Sequence, residues 1–238
     1  MISVCMATYN GEKYLREQVN SILAQLGTDD ELVISDDGSK DSTISILKSY
    51  NDTRIKIFHN TKNHGVNGNF ENALEHSKGD YIFLSDQDDI WMPDKINTCV
   101  KALQMVDCIV HDALIVDSDK NIVSESFFKE RNSGSGFWKN LYKNTCIGCC
   151  MAFTDEVLKK SLPIPNTTAF FHDNWIGCIA DAKFKLEFIP FKGIMFRRHE
   201  SVNSCTTSKS KYSTFQQFTH RMIQLILIVE RLYLRIKK

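Results

Sequence analysis

The chain has 238 residues and a mass of 27.3 kDa, enough to bury one sizeable core. Lys and Arg number 29 against 29 Asp and Glu, so no basic excess points to a nucleic-acid partner. No run of about 18 apolar residues predicts a membrane span, and MISVCMATYN lacks the basic n-region of a secretory signal, so a cytoplasmic protein is expected.

Residues 2–7 are a short apolar run that predicts a strand. After the polar turn TYNG, residues Tyr14, Leu15, Val19, Ile22, Leu23 and Leu26 recur at helical spacing over 12–26. Thr8 or Asn10 is the expected cap and Gly27 the stop. A second strand at 31–35 runs into DDGSKDS, and Ile44, Ile46, Leu47 and Tyr50 give the next helix face. This alternation of strand, polar turn and helix is the doubly wound pattern. A third strand is expected at 54–58. The Asn- and Gly-rich HNTKNHGVNGN reads as a loop at 59–69, and a helix follows from Phe70 to just before Gly79. YIFL at 81–84 suits the buried interior of a parallel sheet, and it releases into Asp86, Gln87, Asp88 and Asp89. Pro93 fits the first turn of a helix over 94–105.

Beyond residue 107 the texture changes. Strands are expected at 107–110 and 113–116, a turn at DSDKN and a hairpin arm from Ile122. Residues 124–144 mix polar residues with scattered aromatics, which either pack a small helix or contact a partner. A strand at 145–154, a helix at 155–160 and a turn at Pro163 and Pro165 follow. The next helix, over 170–181, has Asp173 near its start, as an ordinary N-cap or as a general base. Strands at 184–190 and 193–197 lead to His199, a histidine in a polar loop beside Arg197 and Arg198, a positive pocket suited to phosphate. The last helix, over 212–238, joins a dense apolar face to Arg231, Arg235, Lys237 and Lys238. It packs on the body, dimerises, or makes peripheral contact with an anionic membrane. Of the eight cysteines, Cys146, Cys149 and Cys150 form a CIGCC cluster with no second spaced pair. That argues for buried thiols rather than a closed zinc site or a disulfide scaffold.

Open α/β sheets bind ligands at the C-terminal ends of their strands, where the acid cluster falls. Asp86 and Asp88 are hard oxygen donors suited to Mn2+ or Mg2+, ions that keep phosphates as further ligands. The neighbouring strand ends, at Thr8 and Asp37, would flank a nucleoside, with Asp37 accepting from a base N–H or a ribose hydroxyl. Neither GxxxxGK[ST] nor GxGxxG follows the first strand, which argues against a P-loop NTPase and a dinucleotide oxidoreductase.

The segments SVCMATYNGEKYLREQVNSILAQ, ELVISDDGSKDST, NHGVNGNFENAL and GDYIFLSDQDDIW cover most of residues 1–100 in order. Together they resemble the family 2 glycosyltransferases of GT-A fold. FFHDNW and FRRHESVNS resemble that family's acceptor-side and closing motifs, especially those of bacterial rhamnosyltransferases of capsule and O-antigen synthesis. The resemblance implies an α/β, Rossmann-like nucleotide-binding sheet with helices on both faces, an acceptor-side hairpin region and a C-terminal helix. It divides the chain into a donor half at 1–106, an acceptor and catalytic-base half of the same domain at 107–205, and an amphipathic segment at 206–238. Position by position it makes Thr8, Tyr9, Glu12, Asp37, Asp86, Arg197 and Arg198 donor-binding, Asp88 and His199 metal-binding, and Asp173 the base. Where many members carry Glu-Asp, this chain has His172-Asp173.

The implied reaction is an inverting, metal-dependent transfer of a sugar, L-rhamnose from dTDP-rhamnose as first choice. The acceptor is a hydroxyl of a growing lipid-linked or surface polysaccharide at the inner face of the membrane. A hexosyl or N-acetylhexosaminyl transferase using a UDP-sugar, a nucleotidyltransferase, and a non-catalytic sugar-nucleotide or carbohydrate-binding module are the competing readings. Asp86, Asp88, Asp173 and His199 together favour turnover, because a binding module needs no base opposite a metal.

Overall fold

The N-terminal apolar run becomes β1 (Ile2–Thr8), whose Val4, Cys5 and Met6 are fully buried. The computed structural model describes residues 1–198 and 213–233. His199, Arg235, Lys237 and Lys238 lie outside the described residues.

Helix α1 (Leu15–Leu23) starts later than its apolar spacing predicts, because residues 11–14 form a turn that closes on the Gly11 carbonyl. Neither expected cap is used: the Thr8 hydroxyl donates to Asp36, and the Asn10 side-chain oxygen accepts from the Lys40 N–H. Then follow β2 (Glu31–Asp36), α2 (Thr43–Lys48), β3 (Ile55–His59) and α3 (Val66–His76). The last of these takes the final four residues of the expected loop, with Gly65 at φ 97° as its entry. The central β4 (Tyr81–Ser85) passes through the acid cluster into a two-residue strand, β5 (Ile90–Trp91), that the sequence does not announce. Helix α4 (Lys95–Leu103), β6 (Cys108–Val116), β7 (Ile122–Ser124), α5 (Phe127–Arg131) and α6 (Phe137–Tyr142) come next. Where a strand was expected from residue 145, a 3-10 turn at Gly148–Cys150 precedes the short β8 (Met151–Thr154). Helices α7 (Asp155–Ser161) and α8 (His172–Lys183), β9 (Leu186–Arg197) and α9 (Thr214–Tyr233) complete the described chain.

One sheet gathers the strands in the order β3-β2-β1-β4-β8-β6-β9-β5, with β7 on β6. The β3, β2, β1 and β4 strands run parallel, as helix crossovers require. β8 is antiparallel to both β4 and β6, and β9 runs parallel to β6. Helices flank the sheet, and the core is continuous across it. Phe83 and Phe153 are fully buried there, each stabilising by about 1.5–3 kcal/mol on area grounds.

The four short strands expected beyond residue 107 are two long ones. β6 and β9 pair along their length, with register shifts around Asp112. The partner of His111 is Ile189 and that of Asp112 is Lys192, so Pro190 and Phe191 fall where the ladder is broken. Proline is tolerated there because it has no N–H to give. Gly193 lies against the His111 ring, where a Cβ would come within 2.7 Å.

Candidate active site

β1 has β2 on one side and β4 on the other, and the crossovers leave a crevice where their C-terminal ends diverge. A cavity of about 800 Å³ opens there. Thr8, Tyr9, Asp37, Asp86, Asp88, Asp173 and Arg197 all line it, although they are spread over most of the described sequence. Glu12 and Arg198 do not line it, and His199 lies outside the described residues.

On the β1 and β2 side, the paired acids divide their work. Asp36 is buried and braces its own turn, accepting from Thr8, from the N–H groups of Gly38 and Ser39, and from the Ser39 hydroxyl. Asp37 turns toward the cavity, where its carboxylate accepts from Asn60 (2.8 Å), His64 (2.7 Å) and the Gly65 N–H (2.7 Å). It is thereby fixed against the start of α3. Tyr9 is exposed, and its backbone is clamped by the Gln87 amide, which accepts from its N–H (2.9 Å) and donates to its carbonyl (3.0 Å). This ties the first turn to the acid cluster, leaving so little room that a Cβ on Gly11 would meet Gln87 Oε1 at 2.2 Å. Glu12 faces α2 instead, accepting from the Ser42 N–H (2.8 Å).

Ligand atoms of Asp86, Asp89 and Cys149 lie within 4.8 Å of one another. Asp89 is buried. One of its oxygens accepts from the Arg197 N–H (3.0 Å), and the other has no partner. Desolvation, then the charge of Asp88, raises the pKa of both Asp86 and Asp89. A buried, partly unsatisfied acid cluster of this kind fits a hard divalent cation, which removes the repulsion and uses the spare oxygen. Cys149 fits less well as a ligand: burial pushes its thiol far up, so it stays protonated beside the two acids. A neutral, soft sulfur serves better as a hydrogen-bond donor to the carboxylates than as a ligand for Mn2+ or Mg2+. Asp88, the expected metal residue, stands outside that tight group, and its backbone carbonyl accepts from Arg197 Nε (2.9 Å).

Across the cavity, Asp173 occupies the first turn of α8, with Phe171 rather than Asp173 at the N-cap. Its carboxylate accepts from the Asn174 N–H (2.6 Å), the Gly148 N–H and Asn144 (3.4 Å). Desolvation outweighs those bonds and raises its pKa to about 6. Beside it His172 is buried and stacked on Phe70 at 3.9 Å, and neither ring nitrogen has a partner. Burial lowers its pKa to about 3, so the ring is neutral at ordinary pH.

The two arginines are held by the protein. Arg197 is buried, pairs with Glu17 (2.7 Å), donates to the Ser118 carbonyl (3.0 Å) and lies over the Tyr14 ring. Arg198 pairs with Glu130 (2.5 Å). Cys146, Cys149 and Cys150 are buried free thiols.

Several site residues escaped sequence reasoning. Gln18, fully buried in α1, donates to the Ser85 hydroxyl (2.7 Å) and the Asp86 carbonyl (2.9 Å), so it fixes the exit of β4. Lys95 is fully buried under the acids, donates to the Cys149 carbonyl (2.9 Å) and sits 3.9 Å over the Trp91 ring. Its position four residues before Cys99, on the buried stripe of α4, was the available signal. Asn144 and Gly148 carried none.

Residues 3–162 match Glycosyl transferase family 2. The Escherichia coli UDP-Glc:alpha-D-GlcNAc-diphosphoundecaprenol beta-1,3-glucosyltransferase WfgD is 25% identical over 182 residues, 76% of this chain and 70% of that protein. The dTDP-rhamnosyl transferase RfbG of Shigella flexneri is 29% identical over 227 residues, 87% of this chain and 76% of that one. Among solved structures, S. aureus TarS with UDP-GlcNAc superposes with a TM-score of 0.74 at 19% identity, covering 96% of this chain. The chain spans 66% of that TarS chain. At such identity the superposition speaks for the fold, and it agrees with a sheet whose parallel half ends in the acid cluster. With the match running through both the acid cluster and the turn that faces Asp173, this chain belongs to glycosyl transferase family 2.

Proposed function

We propose that the protein transfers a sugar, with inversion, from a nucleoside-diphosphate donor to an acceptor hydroxyl, with Asp173 as general base. The observation that carries this reading is the placement of Asp173 in the same cavity as Asp86 and Asp88, on a different element, with Asp89 buried behind them. Asp37, held by Asn60, His64 and Gly65, is the acceptor for the base or ribose, and the chain around Thr8 and Tyr9 forms the floor of that subsite. Asp86, Asp88 and Asp89 are the residues that would hold the cation, with His199 a further ligand by resemblance. A bound Mn2+ or Mg2+ supplies Lewis-acid neutralisation of charge on the departing diphosphate.

The protein's own groups do the rest. Asp173, deprotonated near neutral pH, takes the proton of the acceptor hydroxyl as its oxygen bonds to the anomeric carbon. The bond from that carbon to the diphosphate oxygen breaks on the opposite side, so a single displacement inverts the configuration. The buried Arg197 braces the acid turn through its contacts to Asp88 and Asp89 rather than meeting the ligand alone.

The donor we favour is dTDP-rhamnose, supported by the similarity to RfbG over most of this chain. A UDP-sugar is the second reading, supported by the name of WfgD. That name also supports a lipid-diphosphate-linked acceptor, and thus work at the inner face of the membrane in surface-polysaccharide assembly. Calorimetric titration of dTDP-rhamnose, UDP-glucose and UDP-GlcNAc, with and without Mn2+, tests this. Metal-dependent binding of one donor is expected, and no binding of any by folded protein would refute the reading.

A further inference from the structure

Helix α9 rests on the body through its buried residues Gln224 and Ile228, with the Gln224 amide donating to Asn174 (2.5 Å). Its opposite side has no cover among the described residues. Phe215, Phe218, Met222, Ile226, Val229 and Tyr233 are all exposed there. They follow one another at three- or four-residue steps, so they form one continuous apolar stripe along the helix.

A second element extends this stripe. Arg221 of α9 donates to the Tyr142 carbonyl (2.7 Å) and lies 5.0 Å over the Tyr142 ring, which fastens α6 to α9. On α6, Trp138 and Tyr142 are 70% and 72% exposed, so with the α9 stripe they enlarge one apolar patch. Lys139 and Lys143 are exposed beside them. α6 carries no acid, and Glu230 is the only one in α9, against Lys139, Lys143 and Arg221 beside the stripe; Arg231 turns to the body, where it donates to the Leu162 and Pro163 carbonyls and lies over the Trp175 ring.

We propose that the joint face of α6 and α9 docks in the plane of an anionic lipid bilayer. The chemistry selects that occupant over a second copy of the chain. Trp and Tyr, with an apolar body and a polar edge, suit the headgroup boundary, and the cations beside them meet anionic lipid. In a two-fold dimer through the same patch, cations would face cations with almost no acids to answer them. The face lies on the bilayer rather than crossing it: no helix among the described residues is long and apolar enough to span one. Arg131 and Asn144, which bracket α6, line the cavity. Docking therefore sets the cavity beside the headgroup plane, where a lipid-linked acceptor would be presented. Only this last step rests on the transferase reading.

The test is co-sedimentation of the full chain with vesicles of phosphatidylcholine alone and of phosphatidylcholine mixed with phosphatidylglycerol. Binding at least about tenfold stronger to the anionic vesicles, and falling with added salt, is expected. Trp138→Ser with Tyr142→Ser, and separately Phe215→Ser with Phe218→Ser, should each weaken it about tenfold while leaving the circular dichroism unchanged. The two pairs sit on different helices, so misfolding of one leaves the other to decide. Equal partitioning of wild type and both folded variants would overturn the proposal. So would a concentration-dependent dimer that the substitutions dissolve, with no vesicle binding. Donor calorimetry on the same samples separates the two claims: vesicle binding without donor binding keeps the surface and refutes the transferase reading, and donor binding without vesicle binding does the reverse.

Discussion

At the residue scale, Asp173 and His172 show how one helix start sets two opposite protonation states. Burial dominates at both: it raises the acid to about 6 and drops the imidazole to about 3. If Asp173 is the base proposed above, it works deprotonated, so kcat/KM should be level above pH about 6 and fall about tenfold per unit below it. Asp173→Asn should cost about 10²–10⁴ in kcat and leave the donor Kd unchanged by calorimetry, and a full rate in that variant would end the base assignment. The neutral His172 matters to this poise. A glutamate in its place would set a second negative charge beside Asp173 and raise its pKa further. The sequence exposes both residues as a dipeptide. Which of them is stacked on Phe70 and which faces the acids depends on how α8 meets α3, and no local pattern encodes that.

At the element scale, the 3-10 turn at Gly148–Cys150 holds the two halves of the site together. Its Gly148 N–H supports Asp173, its Cys149 thiol lies against Asp86 and Asp89, and Lys95 anchors it through the Cys149 carbonyl. A Cβ on Gly148 would lie 2.9 Å from His172 Nε2 and 3.6 Å from Asp173 Cβ. Gly148→Ala should therefore displace the start of α8 and lower kcat by about 10²-fold, as a misplacement of about 1 Å does. The donor Kd should hold, and an unchanged kcat would show that the turn is not a positioning device. CIGCCMAFT predicts one unbroken strand because it is almost wholly apolar, and an apolar run has no period to reveal a break. The converse holds at β6 and β9, where the interruptions at His111-Asp112 and after Pro190 predict two strands each, yet the bulge at Asp112 shifts the register without ending either strand.

For the whole molecule, the parallel half delivers the strand ends and the second half closes over them. The acids it gathers are costly without a counter-charge, so a divalent cation should act as a folding ligand. Mn2+ at about a hundred times its Kd should add about 2.7 kcal/mol, or roughly 5–10 °C in Tm by calorimetry. Asp89→Asn retains the oxygen that accepts from the Arg197 N–H and removes a buried charge. That variant should melt higher than wild type without metal and lose the Mn2+ shift. A wild-type Tm indifferent to Mn2+ would count against the acids as a metal site.

The sequence by itself determined the doubly wound half, because residues 2–7, 31–35 and 81–84 are apolar runs broken by polar turns, and each run could only be an interior strand. It determined the acid turn as well, since three carboxylates in four residues need a counter-charge wherever they fold. Only the tertiary structure decided that Asp89 carries the orphaned oxygen and that Asp37 and Asp36 divide their roles. The same holds for Arg197, turned to Glu17, and for Lys95, which lies beneath the cluster. The reason is physical: periodicity records which side of an element is buried, whereas the partner of a buried polar group is fixed by contacts between segments far apart in the chain.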